Sequence, residues 1–481
     1  MHKLMSVFCF LFVFNCVFSQ NNIQIKISKP YAIFNFLETA INRTGTSSTL
    51  NEIITANAKD NSDFKLLCKN FSAIRMDYSY AREEFPESRR QNRSVRDLIY
   101  IALVKAETWT EFNSSIIGIL PNSEQQKMLS LLKQAEPYYD QFVWITSRSK
   151  LEEQITGLSQ YLPKAYQVFP IFREFYGSSW DSSIPFLVTL YPIPGTSGIS
   201  TAKPYANSLC VGVLTDKAAP VETIGVILHE MCHVLYDEQP NEIQQEIDKW
   251  FSENTSPYNV HASGFFDEGM ATALGNGWAY KYLSGKLDDE EWYNNKYING
   301  FAKALYPLVA QYIDQKKSID KPFIDRAVDL FASTFPESNS DYDLLLSNVS
   351  VYTDAENNSE RDAVLDVLES QFRLRGIQLS SPVLDSKSLE FLATDKQTQL
   401  VVIDRNHRQD MEALRKIFPQ LKAVSKTHLK QDFIFSFLDD TNRPVILLHM
   451  KDKATLPALV ARMKTLKVIG PNVEVLGTPV D

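Results

Sequence analysis

Residues 220–240 read PVETIGVILHEMCHVLYDEQP, which has the pattern of a single helix. Pro220 suits the first turn of a helix, where the missing N–H of proline has no partner to lose, and Pro240 lies beyond the last turn. Apolar residues recur three and four positions apart, which indicates one buried face. They are Ile224, Ile227, Leu228, Met231 and Leu235. The pattern therefore predicts a helix that is buried along this stripe.

Within this helix, His229, Glu230 and His233 form the pattern H-E-x-x-H. Residues four apart on a helix differ by about 40° of rotation, so the two imidazoles project from one face and can bind one metal ion. Glu230 lies about 100° from His229, where its carboxylate can take a proton from a metal-activated water. The pattern specifies only three letters, so two ordinary histidines on a helix are the alternative that it leaves open.

A zinc site needs a third protein ligand and an open position for water. The best candidate is Glu268, in the segment FFDEGMATALG of residues 265–275. Small residues there would let the segment pack close to the motif helix. They are Gly269, Ala271 and Ala273. A solvated carboxylate near a helix N-terminus is the alternative for Glu268 and the expected state of Asp267.

The motif H-E-x-x-H, followed about thirty-five residues later by D-E-G-x-A, resembles the gluzincin branch of the zincin metallopeptidases. The resemblance implies that His229, His233 and Glu268 bind Zn²⁺. It implies that Glu230 is the general base. It also implies that a strand before the motif helix pairs with extended substrate, and the candidate for this strand is residues 208–214.

Other residues have weaker claims to a role in such a site. Thr272 stands where a gluzincin often carries a second acid, and a hydroxyl cannot orient an imidazole as a carboxylate does. Tyr306 is the candidate for stabilising the oxyanion, with a packing role as the alternative. His261 is a second candidate for this role or an alternative metal ligand. Cys232 is expected to pack as a small apolar residue.

The first hypothesis for function is therefore an exported, zinc-dependent metallopeptidase that hydrolyses peptide bonds of a peptide or protein substrate. A binding or surface-assembly protein on a catalytically retired zincin scaffold is the alternative, since a fold alone does not separate the two. A zinc hydrolase that acts on another bond is a third possibility. The intact Glu230 favours catalysis, because a purely structural scaffold does not need that carboxylate beside the histidines.

The expected fold class is α+β. Periodic apolar residues predict a helical N-terminal subdomain over residues 20–180, with long helices at 95–110 and 123–145. A mainly helical, zincin-like catalytic domain follows at 181–375, with strands at 184–192 and 208–214 that form a small β-sheet before the motif helix. With 481 residues and 44% hydrophobic composition, the chain is long enough for two or three folded units.

The last hundred residues differ in character from the rest. Residues 376–388 lack periodicity and predict a linker. Residues 385–481 are expected to form a small α/β domain, whose partner the sequence does not reveal. Its predicted strands are residues 400–403, 433–438 and 445–449, and its predicted helices are residues 409–418 and 456–466. Its three histidines, His407, His428 and His449, are too scattered in sequence to indicate a second site.

The N-terminus predicts export. A basic start, an apolar run from Leu4 to Phe18 and the small Ser19 form a signal peptide over residues 1–19. The mature protein would be periplasmic or secreted, and anchoring as a lipoprotein through Cys16 is the minor alternative. No later apolar run is long enough for a membrane span. The formal net charge of −9 argues against nucleic acid as a partner. Three cysteines outside the signal peptide do not make a disulfide framework.

Overall fold

The computed structural model describes residues 22–76, 78–81, 84–86, 92–372, 374, 376–395, 397–466 and 472–477. The predicted signal peptide and the alternative anchor Cys16 lie outside these residues. Among the described residues, no helix combines the length and the apolar character that a membrane span needs.

The chain is a mixed α/β protein in which helices predominate. Its helices are α1 (Lys29–Ala40), α2 (Ser48–Asn57), α3 (Ser62–Ser72), α4 (Val95–Lys105), α5 (Trp109–Ser115), α6 (Asn122–Tyr139), α7 (Ile145–Leu158), α8 (Leu162–Tyr176), α9 (Pro220–Asp237), α10 (Asn241–Glu253), α11 (Asn259–Ala271), α12 (Tyr280–Ser284), α13 (Lys296–Asp314), α14 (Lys321–Thr334), α15 (Tyr342–Leu345), α16 (Asn358–Glu369), α17 (Ser386–Thr394), α18 (His407–Ile417) and α19 (Leu456–Thr465). The segments Asp140–Trp144 and Thr272–Ala279 are π-helical.

The strands of the described residues form two larger sheets and one two-stranded sheet. They are β1 (Ile23–Lys26), β2 (Ser79–Ala81), β3 (Asn92–Ser94), β4 (Phe186–Ile193), β5 (Ala202–Tyr205), β6 (Ser208–Leu214), β7 (Asn348–Thr353), β8 (Gly376–Ser380), β9 (Thr398–Ile403), β10 (Phe433–Leu438), β11 (Pro444–His449) and β12 (Glu474–Val475). One sheet has the order β1-β4-β6-β5, the other β12-β10-β11-β9-β7-β8, and β2 pairs with β3.

The four-stranded sheet precedes the motif helix α9, as the sequence predicts. Strands β1 and β6 both run parallel to β4, while β5 runs antiparallel to β6. Strands β4 and β6 are almost entirely buried, which explains their nearly continuous apolar sequences. Helix α9 packs against both β5 and β6, so the sheet supports the motif helix.

The strand predicted to pair with substrate forms as expected at Ser208–Leu214, and its pairing with substrate stays a prediction. Strand β6 lies between β4, which pairs along its whole length, and β5, which pairs with its first four residues, Ser208–Val211. The chain turns at Gly195 and Gly198, both with positive φ, and returns as β5 before it enters β6. The sequence does not indicate β5, because Pro204 and two other poor strand formers occupy it.

The chain forms two compact units. The first contains the residues up to Glu246 together with Asp267–Asn295 and Leu305–Ile319. Its core joins Phe34, Phe36 and Phe71 of the N-terminal helices to Tyr191 and Cys210 of the sheet. The boundary expected at residue 180 is therefore wrong, because the N-terminal helices and the sheet before α9 share one core.

The second unit contains Ile247–Phe266, Lys296–Ala304 and Asp320–Asp481. Helices α16 and α19 cover one face of its six-stranded sheet, where Leu368 and Leu459 join the buried strand residues. Helices α17 and α18 cover the other face through Leu392 and Leu414. The predicted α/β layering of the C-terminal region is confirmed, and the predicted strands and helices there form within two residues of their expected ends.

The linker predicted at residues 376–388 is wrong. Gly376–Ser380 forms strand β8, which pairs in parallel with β7 so that Ile377 lies opposite Val349. The sheet thus begins at Asn348, well before the boundary expected at 385. Strand β8 lies at the edge of the sheet and is only partly buried, so it lacks the apolar run by which an interior strand is recognised.

Candidate metal centre

Helix α9 carries the motif residues on a rigid, buried element. The five residues of the predicted apolar stripe are all fully buried, which confirms the predicted orientation of the helix. His229 and Glu230 are also buried, with 6% and 5% of their surface exposed. Since the apolar stripe holds the helix against the core, the backbone that carries both histidines has a fixed position.

The two imidazoles and the Glu268 carboxylate converge on one point. The Nε2 atoms of His229 and His233 lie 3.1 Å apart. Oε2 of Glu268 lies 3.6 Å from Nε2 of His229 and 3.9 Å from Nε2 of His233. Among the described residues, this trio is the group of three potential ligands whose donor atoms all lie within 4.8 Å of one another. The three side chains expected to bind a metal therefore lie together, and metal binding stays a prediction.

The chemistry of this donor set fits zinc. Two imidazole nitrogens and one carboxylate oxygen are a common catalytic zinc environment, in which a fourth position stays open. Oε2 of Glu268 is buried and has no hydrogen-bond partner among the described residues. A buried carboxylate oxygen without a donor is unfavourable, and a bound cation would satisfy it.

Asp267 contacts Nδ1 of His233, whereas the other ring nitrogen, Nε2, lies near Glu268. Its Oδ2 lies 3.0 Å from Nδ1 of His233, so the imidazole donates Nδ1–H to the carboxylate. This hydrogen bond leaves the lone pair on Nε2, the atom that faces Glu268. The expectation that Asp267 is merely solvated is therefore wrong. Asp267 and Glu268 are adjacent on α11 and reach different atoms, a distinction that the local sequence pattern does not contain.

Thr272 does not take the supporting role that its sequence position suggested. Its side chain is fully buried, and its hydroxyl has no hydrogen-bond partner among the described residues. Thr272 is the first residue of the π-helical segment Thr272–Ala279, where the residue spacing per turn differs from that of α11. The carboxylate of Asp267 orients the imidazole instead.

The segment after α11 packs very closely on α9. A Cβ atom added to Gly275 would lie 2.7 Å from the backbone N of His229 and 2.8 Å from the carbonyl O of Gly225. The predicted close approach of this segment is thus observed, with Gly275 and Gly225 at the contact. The backbone that carries His229 is held in place by this contact.

Negative charge is concentrated around the histidines. Burial lowers the pKa of His233, but the charge and hydrogen bond of Asp267 and the charges of Glu268 and Glu230 raise it, to about 10. Burial raises the pKa of Glu268, while His229, His233 and the hydroxyl of Tyr293 lower it further, to about 2. The local field therefore favours a positive charge between these side chains.

Glu230 combines burial with proximity to these charges. Burial raises its pKa, the two imidazoles lower it, and the carboxylates of Glu268 and Asp267 raise it, with a net increase above the usual glutamate value. A carboxylate with a raised pKa binds a proton more readily than an exposed one. This property suits a group that must accept a proton and then release it.

Tyr293 also lies at the site, and no sequence pattern indicates it. Its ring stacks on the ring of His229, with centroids 6.1 Å apart, and its hydroxyl hydrogen-bonds to the carboxylate of Glu268. It lies in an irregular segment after the acidic run of residues 288–291. No periodicity distinguishes it from the other tyrosines of the chain, so only the folded structure identifies it.

The remaining candidates have other surroundings. Tyr306 packs edge-to-face on Trp292, with Lys281 over its ring. These described contacts do not include the histidine pair, so its role in oxyanion stabilisation stays a prediction. His261 belongs to the second unit, where its ring stacks on Phe331 and burial lowers its pKa to about 4. Cys232 is fully buried and packs as an apolar residue, as predicted.

The site as a whole places the imidazoles of His229 and His233, the carboxylates of Glu268 and Glu230 and the phenol of Tyr293 within one small region. Such a set can hold a metal ion, transfer a proton and donate a hydrogen bond to a developing anion. Comparison of this chain with protein-family models, with curated proteins and with solved structures gave no match.

Proposed function

We propose that this protein is a zinc-dependent metallopeptidase that hydrolyses peptide bonds. One observation carries the proposal: Nε2 of His229, Nε2 of His233 and Oε2 of Glu268 converge within 4.8 Å, and Glu230 is buried beside them on the same helix. The resemblance of the two sequence motifs to gluzincins supports peptide bonds rather than other bonds as the target.

His229, His233 and Glu268 would hold the zinc ion, and Asp267 would keep His233 in the tautomer that offers Nε2. When bound, zinc would polarise the carbonyl of the scissile bond and increase the acidity of water at the site. Glu230 would accept the proton of the attacking water and then transfer it to the nitrogen of the leaving amine. Its raised pKa supports both transfers.

Tyr293 is the better placed donor for the oxyanion. Its hydroxyl lies at the carboxylate of Glu268, and its ring is held against the imidazole of His229. A phenol at this place can donate a hydrogen bond to the oxygen that becomes negative when water attacks the carbonyl. Tyr306, the candidate from the sequence, contacts Trp292 and Lys281 instead.

Strand β5 is the candidate for binding an extended substrate. It forms one end of the described four-stranded sheet and pairs on one side only, with β6. An extended peptide can add to such an edge through main-chain hydrogen bonds. Pro204 is compatible with this position, since proline in a sheet is largely confined to edge strands.

The test compares the full-length protein with Glu230→Gln, using metal analysis and a mixed peptide library. The variant should keep stoichiometric zinc and lose about 10²–10⁴-fold in cleavage rate, because the amide does not accept a proton. Glu222→Gln is the matched control, an exposed glutamate in the first turn of the same helix, and should cleave at the wild-type rate. Tyr293→Phe should lower kcat with zinc retained, whereas Tyr306→Phe should not.

Two results would overturn the proposal. Wild-type protein that binds zinc but cleaves no peptide would favour the retired scaffold. Wild-type protein that binds no zinc after gentle purification would show that His229, His233 and Glu268 do not form a zinc site.

A further inference from the structure

The sheet of the second unit has a crevice of the kind that binds ligands in doubly wound folds. Strand β7 leads into α16 on one face, and β9 leads into α18 on the opposite face, although β7 and β9 are neighbours. Parallel strands whose connections leave to opposite faces open a crevice at their carboxyl ends. The side chains at this edge are therefore candidates for a second ligand-binding site.

Ionisable residues cluster at this edge. Asp354 follows β7, Asp404 follows β9, His407 and Asp410 lie in the first turn of α18, and His449 ends β11. Asp410 and His449 are fully buried, and Asp354 is 6% exposed. The expectation that the C-terminal histidines are too scattered for a site is wrong for His407 and His449, whose ring centroids lie 4.7 Å apart.

The buried carboxylates face one another without a donor. Asp410 lies within hydrogen-bonding reach of Asp354, but both of its oxygens, and Oδ2 of Asp354, have no donor among the described residues. The other oxygen of Asp354 accepts a hydrogen bond of 3.1 Å from the backbone N of Val383, which holds its direction. Burial and the nearby Asp354 and Asp404 raise the pKa of Asp410 to about 8.

Neighbouring cations do not compensate this pair. Among the described lysines and arginines, Lys453 and Arg405 contact Asp404, and none forms an ion pair with Asp354 or Asp410. Nδ1 of His407 is likewise buried without a partner among the described residues. Two buried carboxylates in contact are unfavourable unless a proton or another cation lies between them.

We propose that Asp354 and Asp410 bind a hard divalent cation, of which Mg²⁺ is the representative, at the carboxyl edge of this sheet. Mg²⁺ prefers oxygen ligands and often uses only one or two protein carboxylates, with water in the remaining positions. Two carboxylates, as found at this edge, are therefore enough for Mg²⁺. Such a site does not need three close protein ligands like those of the candidate zinc site. Asp404 and His407 would lie around the ion and interact with its water molecules.

The experiment titrates the full-length protein with MgCl₂ after treatment with EDTA and follows binding heat and thermal unfolding. Wild-type protein should bind Mg²⁺ and melt at a higher temperature in its presence. Asp354→Asn and Asp410→Asn should show no Mg²⁺-dependent shift. In EDTA, these two variants should melt higher than wild-type protein, because the substitution removes one of two facing carboxylates.

Asp366→Asn is the matched control, since Asp366 is an exposed carboxylate on α16 of the same unit, and it should behave as wild type. Asp404→Asn should weaken Mg²⁺ binding about 10-fold, as expected for a group outside the direct ligands. His229→Ala, which removes a proposed zinc ligand in the other unit, should bind Mg²⁺ normally, so the two proposals fail or succeed separately. A wild-type protein that Mg²⁺ does not stabilise would indicate that the two carboxylates share a proton instead. An Asp410→Asn variant that binds Mg²⁺ equally well would show that the ion binds elsewhere, and either result would overturn the proposal.

Discussion

Two adjacent carboxylates of α11 have different roles at the candidate metal centre. Glu268 faces the Nε2 atoms of both histidines, while Asp267 contacts Nδ1 of His233. The first arrangement suits a ligand, and the second suits a residue that orients a ligand. The sequence motif indicated Glu268 as the third ligand but did not assign the role of Asp267, whose partner His233 lies on another helix.

Zinc affinity distinguishes these roles. Glu268→Ala should lose most of the bound zinc, because the two imidazoles would then be the only ligands left. Asp267→Ala should weaken zinc binding about 10- to 100-fold, since His233 would lose its fixed tautomer and orientation. Thr272→Ala is the control and should retain wild-type affinity, because its hydroxyl makes no described hydrogen bond. Competition with a chromophoric chelator measures all three, and full zinc retention in Glu268→Ala would refute the ligand assignment.

At the scale of elements, the contact between α9 and the π-helical segment Thr272–Ala279 determines where His229 lies. Gly275 approaches the backbone of His229 and Gly225 so closely that any side chain would displace one of the two segments. Gly275 and Gly225 allow this contact because neither has a Cβ atom. It links the backbone of α9 to the segment that follows Glu268.

Gly275→Ala should therefore destabilise the protein by about 1–3 kcal/mol through overpacking and should weaken zinc binding. Gly264→Ala is the matched control on α11, where a Cβ atom would meet no atom within 4 Å. That substitution should be neutral or stabilising by up to about 1 kcal/mol, because alanine favours helix. Urea unfolding and zinc titration of both variants give the comparison, and equal stability of the two would contradict the role of this contact.

At the scale of the whole molecule, all three proposed zinc ligands belong to the first unit, and the carboxylates proposed to bind Mg²⁺ belong to the second. A bound ion stabilises the structure that holds it, because it binds the folded form and not the unfolded one. The proposed zinc ion should therefore stabilise the first unit, and the proposed Mg²⁺ ion should stabilise the second.

Removal of zinc by a chelator should increase amide hydrogen exchange in α9 and leave exchange in β9 and β11 unchanged. The reason is that α9 carries two of the ligands, while β9 and β11 lie inside the sheet of the second unit. Hydrogen exchange followed by mass spectrometry resolves these segments. Equal acceleration in α9 and β11 would show that zinc does not act through the first unit alone.

The sequence by itself determined the features that depend on local geometry. The 3.6-residue period predicted α9 and its buried stripe, and the i, i+4 spacing placed His229 and His233 on one face. The nearly continuous apolar runs predicted the buried strands β6 and β10. These features arise from neighbouring residues, so they appear in any window of the sequence that contains them.

The tertiary structure alone decided which distant segments meet. It made Asp267 the partner of His233, placed Tyr293 at Glu268 and put β5 rather than β6 at the edge of the sheet. It also brought Asp354, which follows β7, next to Asp410 in the first turn of α18. Such contacts depend on how helices cross and how strands are ordered, and these quantities are set by packing across the whole core rather than by the period of one segment.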